Sequence, residues 1–203
     1  MTSPVYFYFD FISPYAYFAS LRIEELAARH GRQVDWSPML LGVSVVKVMG
    51  LKPLMETPLK GDYLRRDVLR RARKYEVRLG RAIPGPVTSS LTAARAFCWV
   101  KQRRPELQAE MGRAIYQAWW GKGLLLSDPE TLVQHVTLPD GIDPEGLLAA
   151  LRGPEPAALL RESVQASLNA GVFGAPTFIV DGEPFWGSDR LDDLDEWLAS
   201  GGW

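Results

Sequence analysis

The composition of this 203-residue chain is that of an ordinary globular protein, and it excludes several functions at the outset. Hydrophobic residues make up 47% of the sequence and charged residues 23%, with a net charge of −1 at pH 7. This near-neutral balance gives no global electrostatic reason to bind nucleic acid or an anionic membrane surface. The single cysteine, Cys98, excludes an internal disulfide and a metal site built on two cysteines.

The N-terminal residues lack the basic start of a signal peptide, and Asp10 interrupts the first apolar run. No apolar stretch approaches the roughly 20 residues that a membrane span requires. We therefore expect a cytoplasmic protein with no nucleic-acid partner and no membrane partner.

The chain begins with a strand, a tight turn and a helix. Residues 5–9 are β-branched or aromatic at every position, which predicts a strand buried on both faces. Ser13 and Pro14 mark a helix start, because serine is a preferred N-cap and proline fits the first helical position. Apolar residues at helical spacing extend one helix to a stop at Gly31. The Ser13 hydroxyl is thus placed at the positive end of a helix dipole, where a thiolate would be favoured; simple capping is the alternative.

A second strand and a long helical region follow. Residues 32–38 alternate between apolar and polar, which predicts a strand parallel to the first. Residues 39–58 contain several helix breakers and are predicted to be irregular. The expected helices then cover 61–76, 90–101, 105–120 and 155–170, with two further helix starts at Asp128 and Asp143.

Nine of the basic residues lie between Lys60 and Arg81. Because the chain as a whole is not basic, this run predicts a solvated helix face rather than a phosphate-binding one. Cys98 lies mid-helix beside two aromatic residues and is predicted to be a core thiol rather than a nucleophile. His30 and His135 have no partners at ligand spacing, so no metal site is expected.

Strand character returns near the C-terminus. Residues 177–186 predict a β-hairpin with a two-residue turn, and a final helix is expected over 190–198. Ala175 and Pro176 stand immediately before the hairpin. A cis bond there would present the backbone groups of Ala175 to an extended, peptide-like ligand; an ordinary trans loop is the alternative.

This order of elements resembles the DsbA-like thioredoxin fold, an α/β fold in which a thioredoxin-like domain carries a large all-helical insertion. By this resemblance, residues 1–45 and 169–203 form the thioredoxin-like domain and residues 46–168 the inserted helical domain. In oxidoreductases of that fold, Cys-x-x-Cys begins the first helix. The corresponding residues here are 13–16, Ser-Pro-Tyr-Ala, and without sulfur they cannot exchange disulfides.

A serine at this position resembles the kappa-class glutathione transferases and the bacterial 2-hydroxychromene-2-carboxylate isomerases. The resemblance covers nearly the whole chain and rests on the runs 8–15, 58–63, 127–129, 171–178 and 185–191. The last two runs are especially like the isomerases. They imply a glutathione-dependent isomerase of aromatic catabolism that interconverts 2-hydroxychromene-2-carboxylate and trans-o-hydroxybenzylidenepyruvate by thiolate addition, rotation and elimination.

The resemblance also implies a small aromatic or electrophilic substrate and a homodimer. Two alternatives stay open at this point. One is a kappa-like transferase or peroxidase that acts on another electrophile. The other is a non-catalytic thiol- or peptide-binding protein of DsbA-like fold.

The site residues are carried over from the matching motifs. Ser13 would hydrogen-bond the glutathione sulfur and favour its thiolate, with no covalent role of its own. The other implied cofactor-binding residues are Pro14 and Tyr15 beside it, Lys60 for a carboxylate, Ala175 before a cis Pro176 for the tripeptide backbone, and Ser188 with Asp189 for the γ-glutamyl end. Relatives usually carry Asn where this chain has Leu51, and residues 81–91 lack the usual aromatics and Asn. The cofactor is therefore glutathione or another low-molecular-weight thiol, and the electrophile is open.

Overall fold

A four-stranded mixed sheet forms the centre of the computed structural model, which describes residues 3–83, 85 and 88–203. The strands are β1 (Val5–Phe9), β2 (Val34–Pro38), β3 (Thr177–Val180) and β4 (Glu183–Trp186). Their order is β2-β1-β3-β4, with β1 parallel to β2 and antiparallel to β3, and β3 antiparallel to β4. The predicted strands, the parallel pair and the C-terminal hairpin are confirmed.

Helices flank this sheet and fill the connection between β2 and β3. They are α1 (Pro14–Ser20), α2 (Ile23–Arg29), α3 (Lys60–Lys74), α4 (Leu91–Arg103), α5 (Gln108–Tyr116), α6 (Pro129–His135), α7 (Pro144–Arg152), α8 (Glu155–Asn169) and α9 (Leu191–Ser200). Each helix predicted after residue 60 is present. The predicted fold class, a thioredoxin-like unit with a large helical insertion, is confirmed.

The single helix predicted from residue 14 to 31 is wrong, because the chain breaks it into α1 and α2. The Ser20 hydroxyl donates a hydrogen bond to the Tyr17 carbonyl at 2.6 Å and competes for a helical acceptor. The Arg22 N–H then bonds the Ala19 carbonyl, three residues back, at 3.0 Å. The turn tightens at this point, and a separate helix, α2, begins at Ile23.

The end of α2 is as predicted. Gly31 has φ +64°, and the Arg32 N–H donates to the Ala27 carbonyl at 3.0 Å in a Schellman arrangement. The segment 39–58, by contrast, is not wholly irregular. It contains a π-helical turn (Gly42–Val48) and a 3₁₀ turn (Leu54–Glu56).

The π-helical turn has a cause that lies far away in the sequence. The Leu41 N–H, at its start, donates to a carboxylate oxygen of Asp10 at 2.8 Å. Asp10 is buried at the end of β1, so it caps this turn across the fold. Local spacing in residues 39–58 could not show that partner.

The hydrophobic core runs from the inner face of the sheet into the helical region. Phe9 on β1 is fully buried and packs edge-on against Trp36 of β2 and Phe97 of α4. On the outer face Tyr8 is buried, but Tyr6 is 39% exposed, so β1 is not buried on both faces as predicted. Because one buried cluster joins the sheet to these helices, the division at residues 46 and 168 stays a prediction.

The basic run forms α3, and most of its cationic side chains face solvent, as predicted. Arg71 is an exception, since its side chain is only 23% exposed. Within the described ranges, no helix is both long and apolar enough to cross a bilayer.

Candidate active site

Ser13 occupies the N-cap of α1, where sequence analysis places it. Its hydroxyl accepts a hydrogen bond from the Ala16 N–H at 3.2 Å, and its own N–H donates to the Asp10 carbonyl at 2.9 Å. Pro14 fills the first helical position, and the first turn of α1 carries no acidic residue. Ser13 is 4% exposed. The hydroxyl therefore lies at the partially positive N-terminus of a helix whose first turn carries no acidic side chain.

The turn before β3 lies directly opposite. The Ala175–Pro176 peptide bond is cis, as predicted. The Ser13 hydroxyl donates to the Ala175 carbonyl at 3.0 Å, which joins residues 162 positions apart. Among the described residues, none accepts a hydrogen bond from the Ala175 N–H. The fold thus brings Ser13, Ala175 and Pro176 together and leaves a backbone donor beside them.

Ser188 and Asp189 follow β4 and are tied to the same place. The Gly187 N–H donates to the Pro176 carbonyl at 2.9 Å, and the 3₁₀ turn that Ser188 begins packs against α1. Ser188 is 3% exposed, yet its hydroxyl has no hydrogen-bond partner in the part of the chain that the structure describes. The Asp189 carboxylate is half-exposed, 3.5 Å from the Arg190 guanidinium. A polar ligand could meet both side chains.

Tyr15 reaches a residue that sequence analysis missed. Its hydroxyl donates to Asp67 of α3 at 2.9 Å, while Arg70 donates to the other carboxylate oxygen at 2.7 Å. Burial raises the pKa of Asp67, but the hydrogen bonds from Arg70 and Tyr15 outweigh it and hold that pKa below its usual value. Asp67 is an anion that fixes α3 against α1. Its signal in the sequence is a carboxylate three and four residues before arginines, which Asp62 on the same helix shares.

Asp10 is the second missed residue. It is 2% exposed, and its carboxylate accepts from the Ile12 N–H at 3.2 Å as well as from Leu41. Burial raises the pKa of Asp10, opposed by these hydrogen bonds and by one from Ser90. The carboxylate stabilises the turn that leads into Ser13 through its hydrogen bond from the Ile12 N–H. An acidic residue at the end of an apolar strand is the signal that could have identified it.

Lys60 is the predicted site residue that the structure does not bring to the cluster. It is the first residue of α3, its side chain is exposed, and no ion pair or hydrogen bond joins it to Ser13 or Asp189. Leu51 is 52% exposed nearby in the chain. Residues 84, 86 and 87 of the segment 81–91 lie outside the described residues. The carboxylate-binding role of Lys60 stays a prediction.

Cys98 is not a candidate nucleophile. It is 7% exposed, and burial raises the pKa of its thiol to about 12. His30 is bound to Asp195 at 2.6 Å. Across residues 3–83, 85 and 88–203, no three of the side chains that commonly ligate metals form a group. Since Cys98 is the only cysteine, thiol chemistry at Ser13 needs a sulfur from outside the chain.

Comparisons with known proteins agree with this geometry. A family model described as "DSBA-like thioredoxin domain" matches residues 4–199. A 2-hydroxychromene-2-carboxylate isomerase from Sphingobium xenophagum is 32% identical over 200 residues, which cover 98% of this chain and 99% of the relative. The human protein named glutathione S-transferase kappa 1 is 25% identical over 206 residues, covering 92% and 87%.

Solved structures give the same picture. A selenomethionine structure of 2-hydroxychromene-2-carboxylate isomerase superposes with a TM-score of 0.81 at 26% identity, over 97% of this chain and 94% of that one. A cytosolic disulfide reductase, DsbM from Pseudomonas aeruginosa, shares the fold with a TM-score of 0.66 at 18% identity, over 98% of each chain. The chain belongs to the DsbA-like thioredoxin-domain family and, within it, to the group formed by 2-hydroxychromene-2-carboxylate isomerases and kappa-class glutathione transferases.

Proposed function

We propose that this protein is a glutathione-dependent isomerase that interconverts 2-hydroxychromene-2-carboxylate and trans-o-hydroxybenzylidenepyruvate. The observation that carries the proposal is the Ser13 hydroxyl at the N-terminus of α1, whose first turn has no acidic side chain, 3.0 Å from the Ala175 carbonyl. This pair offers a place for a thiolate and, beside it, for a peptide backbone. The relatives named as isomerases, at up to 32% identity, support the choice of reaction.

The residues present fit glutathione as a group. The Ala175 N–H is a backbone donor of the kind that pairs with an extended peptide, and Ser188 contributes a hydroxyl that has no hydrogen-bond partner among the described residues. Asp189 suits the ammonium of the γ-glutamyl end, because a carboxylate and an ammonium form a charge-assisted hydrogen bond. Lys60, whose side chain is exposed at the start of α3, is proposed for a carboxylate.

Bound glutathione would supply a thiolate for reversible addition to one carbon of a conjugated C=C bond of the ring-opened substrate. The displaced electron pair would be held as an enolate while the resulting single bond rotates, and elimination would restore both the double bond and the thiolate. The chain's own part is electrostatic and positional. A serine hydroxyl has one donor, and in Ser13 it points at the Ala175 carbonyl; rotated toward a sulfur, it would stabilise the thiolate. The N-terminal N–H groups of α1 act in the same direction, and holding both reactants in one cleft lowers the entropic cost of their encounter.

The test is turnover of 2-hydroxychromene-2-carboxylate with and without reduced glutathione, followed by chromatography of the trans product. We expect acceleration that depends strictly on the free thiol, so S-methylglutathione should bind without supporting the reaction. Binding of glutathione with no turnover of any electrophile would instead leave a non-catalytic thiol-binding protein. An absence of glutathione binding by calorimetry would refute the proposal.

A kappa-like transferase or peroxidase is the second candidate, and the relatives named glutathione S-transferase kappa support it. The thiol site would be the same and only the electrophile would differ. An aryl halide and a hydroperoxide, assayed beside the chromene, separate the two: turnover of either one without isomerisation favours the transferase. Homodimer formation stays a prediction, which light scattering coupled to size-exclusion chromatography would check.

A further inference from the structure

A polar cleft lies along the surface of α3. It has a volume of about 530 Å³ and is lined by Tyr63, Asp67, Arg70, Arg71 and Lys74. The hydrogen bond from Tyr15, two residues after Ser13, ends on Asp67 in this cleft. The cleft therefore adjoins the candidate site, although the function proposed above assigns no role to its cationic side chains.

The charges in the cleft do not cancel. Both oxygens of Asp67 are already occupied, one by Arg70 at 2.7 Å and the other by Tyr15 at 2.9 Å. Arg70 and Asp67 thus neutralise one another, while Arg71 and Lys74 leave an excess of positive charge. An anionic group would be drawn to this part of the cleft.

Arg71 lies near one carboxylate on its own helix and one in the turn after β4, but neither carboxylate takes a hydrogen bond from it. Its guanidinium lies 3.7 Å from Asp67 and 4.0 Å from Asp189, and both distances exceed a hydrogen bond. Tyr75 is its remaining side-chain partner. A guanidinium carries five donors in a planar fork that matches a carboxylate, so Arg71 keeps donors for a ligand.

The spacing of Arg71 and Asp189 suits one chemical group in particular. An α-amino acid carries its ammonium and its carboxylate on the same carbon, so the protein groups that bind them must stand side by side and have opposite charge. The Arg71 guanidinium and the Asp189 carboxylate stand in that relation, 4.0 Å apart. The γ-glutamyl end of glutathione is such an α-amino acid.

We infer that Arg71 binds the α-carboxylate of the γ-glutamyl group while Asp189 binds its ammonium, so that this cleft selects γ-glutamyl thiols over other cellular thiols. The inference rests on the proposed function, because it assumes that the thiol binds beside Ser13 and Ala175. The inference gives α3 a role in thiol specificity through Arg71, while most of the other basic side chains of this helix face solvent.

The test combines a protein change with a ligand change. Calorimetry would measure the Kd of reduced glutathione and of its analogue with the γ-glutamyl α-carboxylate converted to a carboxamide, for the wild type and for Arg71→Gln. We expect the wild type to prefer glutathione over the amide by roughly ten- to hundredfold, the range for a hydrogen bond between charged groups. In Arg71→Gln this preference should fall to about twofold or less.

Two further variants keep the result interpretable. Arg73→Gln removes the same charge from an exposed position on the same helix and should retain the wild-type preference. Arg71→Lys retains a cation and should keep part of that preference, even if Arg71→Gln folds poorly. A preference for glutathione over the amide that is the same in wild type, Arg71→Gln and Arg71→Lys would overturn the inference and leave the proposed function standing. A wild type that binds neither ligand would overturn both.

Discussion

Three helices of this protein begin with the same local signal, a capping side chain followed by proline, and only one of them offers a candidate site. The N-caps of α6 and α7 are Asp128 and Asp143, whose carboxylates accept hydrogen bonds from the first-turn N–H groups. The N-cap of α1 is Ser13, a neutral side chain. The N-cap of α1 is therefore uncharged, whereas the N-caps of α6 and α7 are both acidic.

The first turns extend this contrast. Glu130 and Glu145 follow the caps of α6 and α7, whereas the first turn of α1 has no acidic residue. The carboxylates neutralise the dipoles of α6 and α7 and leave no electrostatic gain for a further anion. At α1 the gain is still available, and the cis turn at Ala175 lies opposite. On the proposed function, α1 is the one of these three helices that binds a thiolate, because its cap is uncharged and the Ala175 turn faces it.

The largest loss of activity is expected when α1 receives an acidic N-cap like those of α6 and α7. Ser13→Asp should leave the fold intact, because aspartate is a good N-cap. A second negative charge about 4 Å from the thiolate costs on the order of 4 kcal/mol at an effective dielectric of 20, so kcat/KM with glutathione should fall roughly a thousandfold. Steady-state kinetics would measure this, with thermal unfolding as the check on folding. Activity within tenfold of wild type would contradict the electrostatic account.

The next largest effect is expected on stability, from the buried carboxylate of Asp10 that holds the turn before Ser13. Asp10→Ala removes the acceptor of the Ile12 and Leu41 N–H groups inside the core. A buried donor left without a partner costs about 1–3 kcal/mol, so we expect a loss of roughly 2–4 kcal/mol in the free energy of unfolding. Urea unfolding would measure it. A loss below about 1 kcal/mol would mean that the turn does not depend on Asp10.

Ser13→Ala tests the hydroxyl itself rather than the charge. The thiolate would lose one hydrogen bond to a charged acceptor, worth about 1.5–3 kcal/mol, so the activity at neutral pH should fall roughly ten- to hundredfold. The rise of the rate with pH should move to higher pH, because the thiol then ionises less readily. The pH–rate profile of the variant would show this shift, and the kinetics should approach wild type well above the free-thiol pKa of about 8.5.

Asp143→Ala is the matched control at a helix start without a site. Loss of this N-cap should cost about 1 kcal/mol, which lowers Tm by roughly 2–4 °C in a chain of this size. Calorimetric melting would measure it, and kcat/KM should stay unchanged. Loss of activity comparable to that of Ser13→Ala would show that helix capping in general, rather than the α1 site, sets the rate.

The smallest effect concerns the link from Tyr15 to α3. The hydrogen bonds from Arg70 and Tyr15 hold the pKa of Asp67 below its usual value despite burial. The ionised carboxylate therefore stabilises the fold fully above about pH 4. This contribution is lost as the pH falls through the folded-state pKa. The stability difference between wild type and Asp67→Asn should be constant from about pH 5 to 7 and should shrink below about pH 4. Urea unfolding across this range would measure it; a difference that grows on acidification would contradict the sign.

The sequence predicts those parts of the site that depend on neighbouring residues. Ser13 and Pro14 carry the signal for a helix start within two positions, and Pro176 marks the turn before β3 in the same local way. The hairpin turn at residues 181–182 is equally local, and all three features are present as predicted. The resemblance implies that Ser13 and Ala175 meet the same ligand, and the fold brings the Ser13 hydroxyl within 3.0 Å of the Ala175 carbonyl.

The features that sequence analysis missed depend on contacts between distant segments. The bond from Tyr15 to Asp67 spans 52 positions and that from Leu41 to Asp10 spans 31. Neither partner stands at a spacing that a helix or strand pattern would reveal. The break between α1 and α2 was missed for another reason, since apolar periodicity does not register one serine hydroxyl that takes a helical carbonyl.

The most direct measurement is the pKa of the glutathione thiol in its complex with the wild type and with Ser13→Ala. The ultraviolet absorbance of the thiolate, recorded as a function of pH, gives this pKa. The account predicts a wild-type value well below the free-thiol value of about 8.5, and a value one to two pH units higher in the variant. Equal values in the two complexes would contradict it, because the Ser13 hydroxyl would then have no part in stabilising the thiolate.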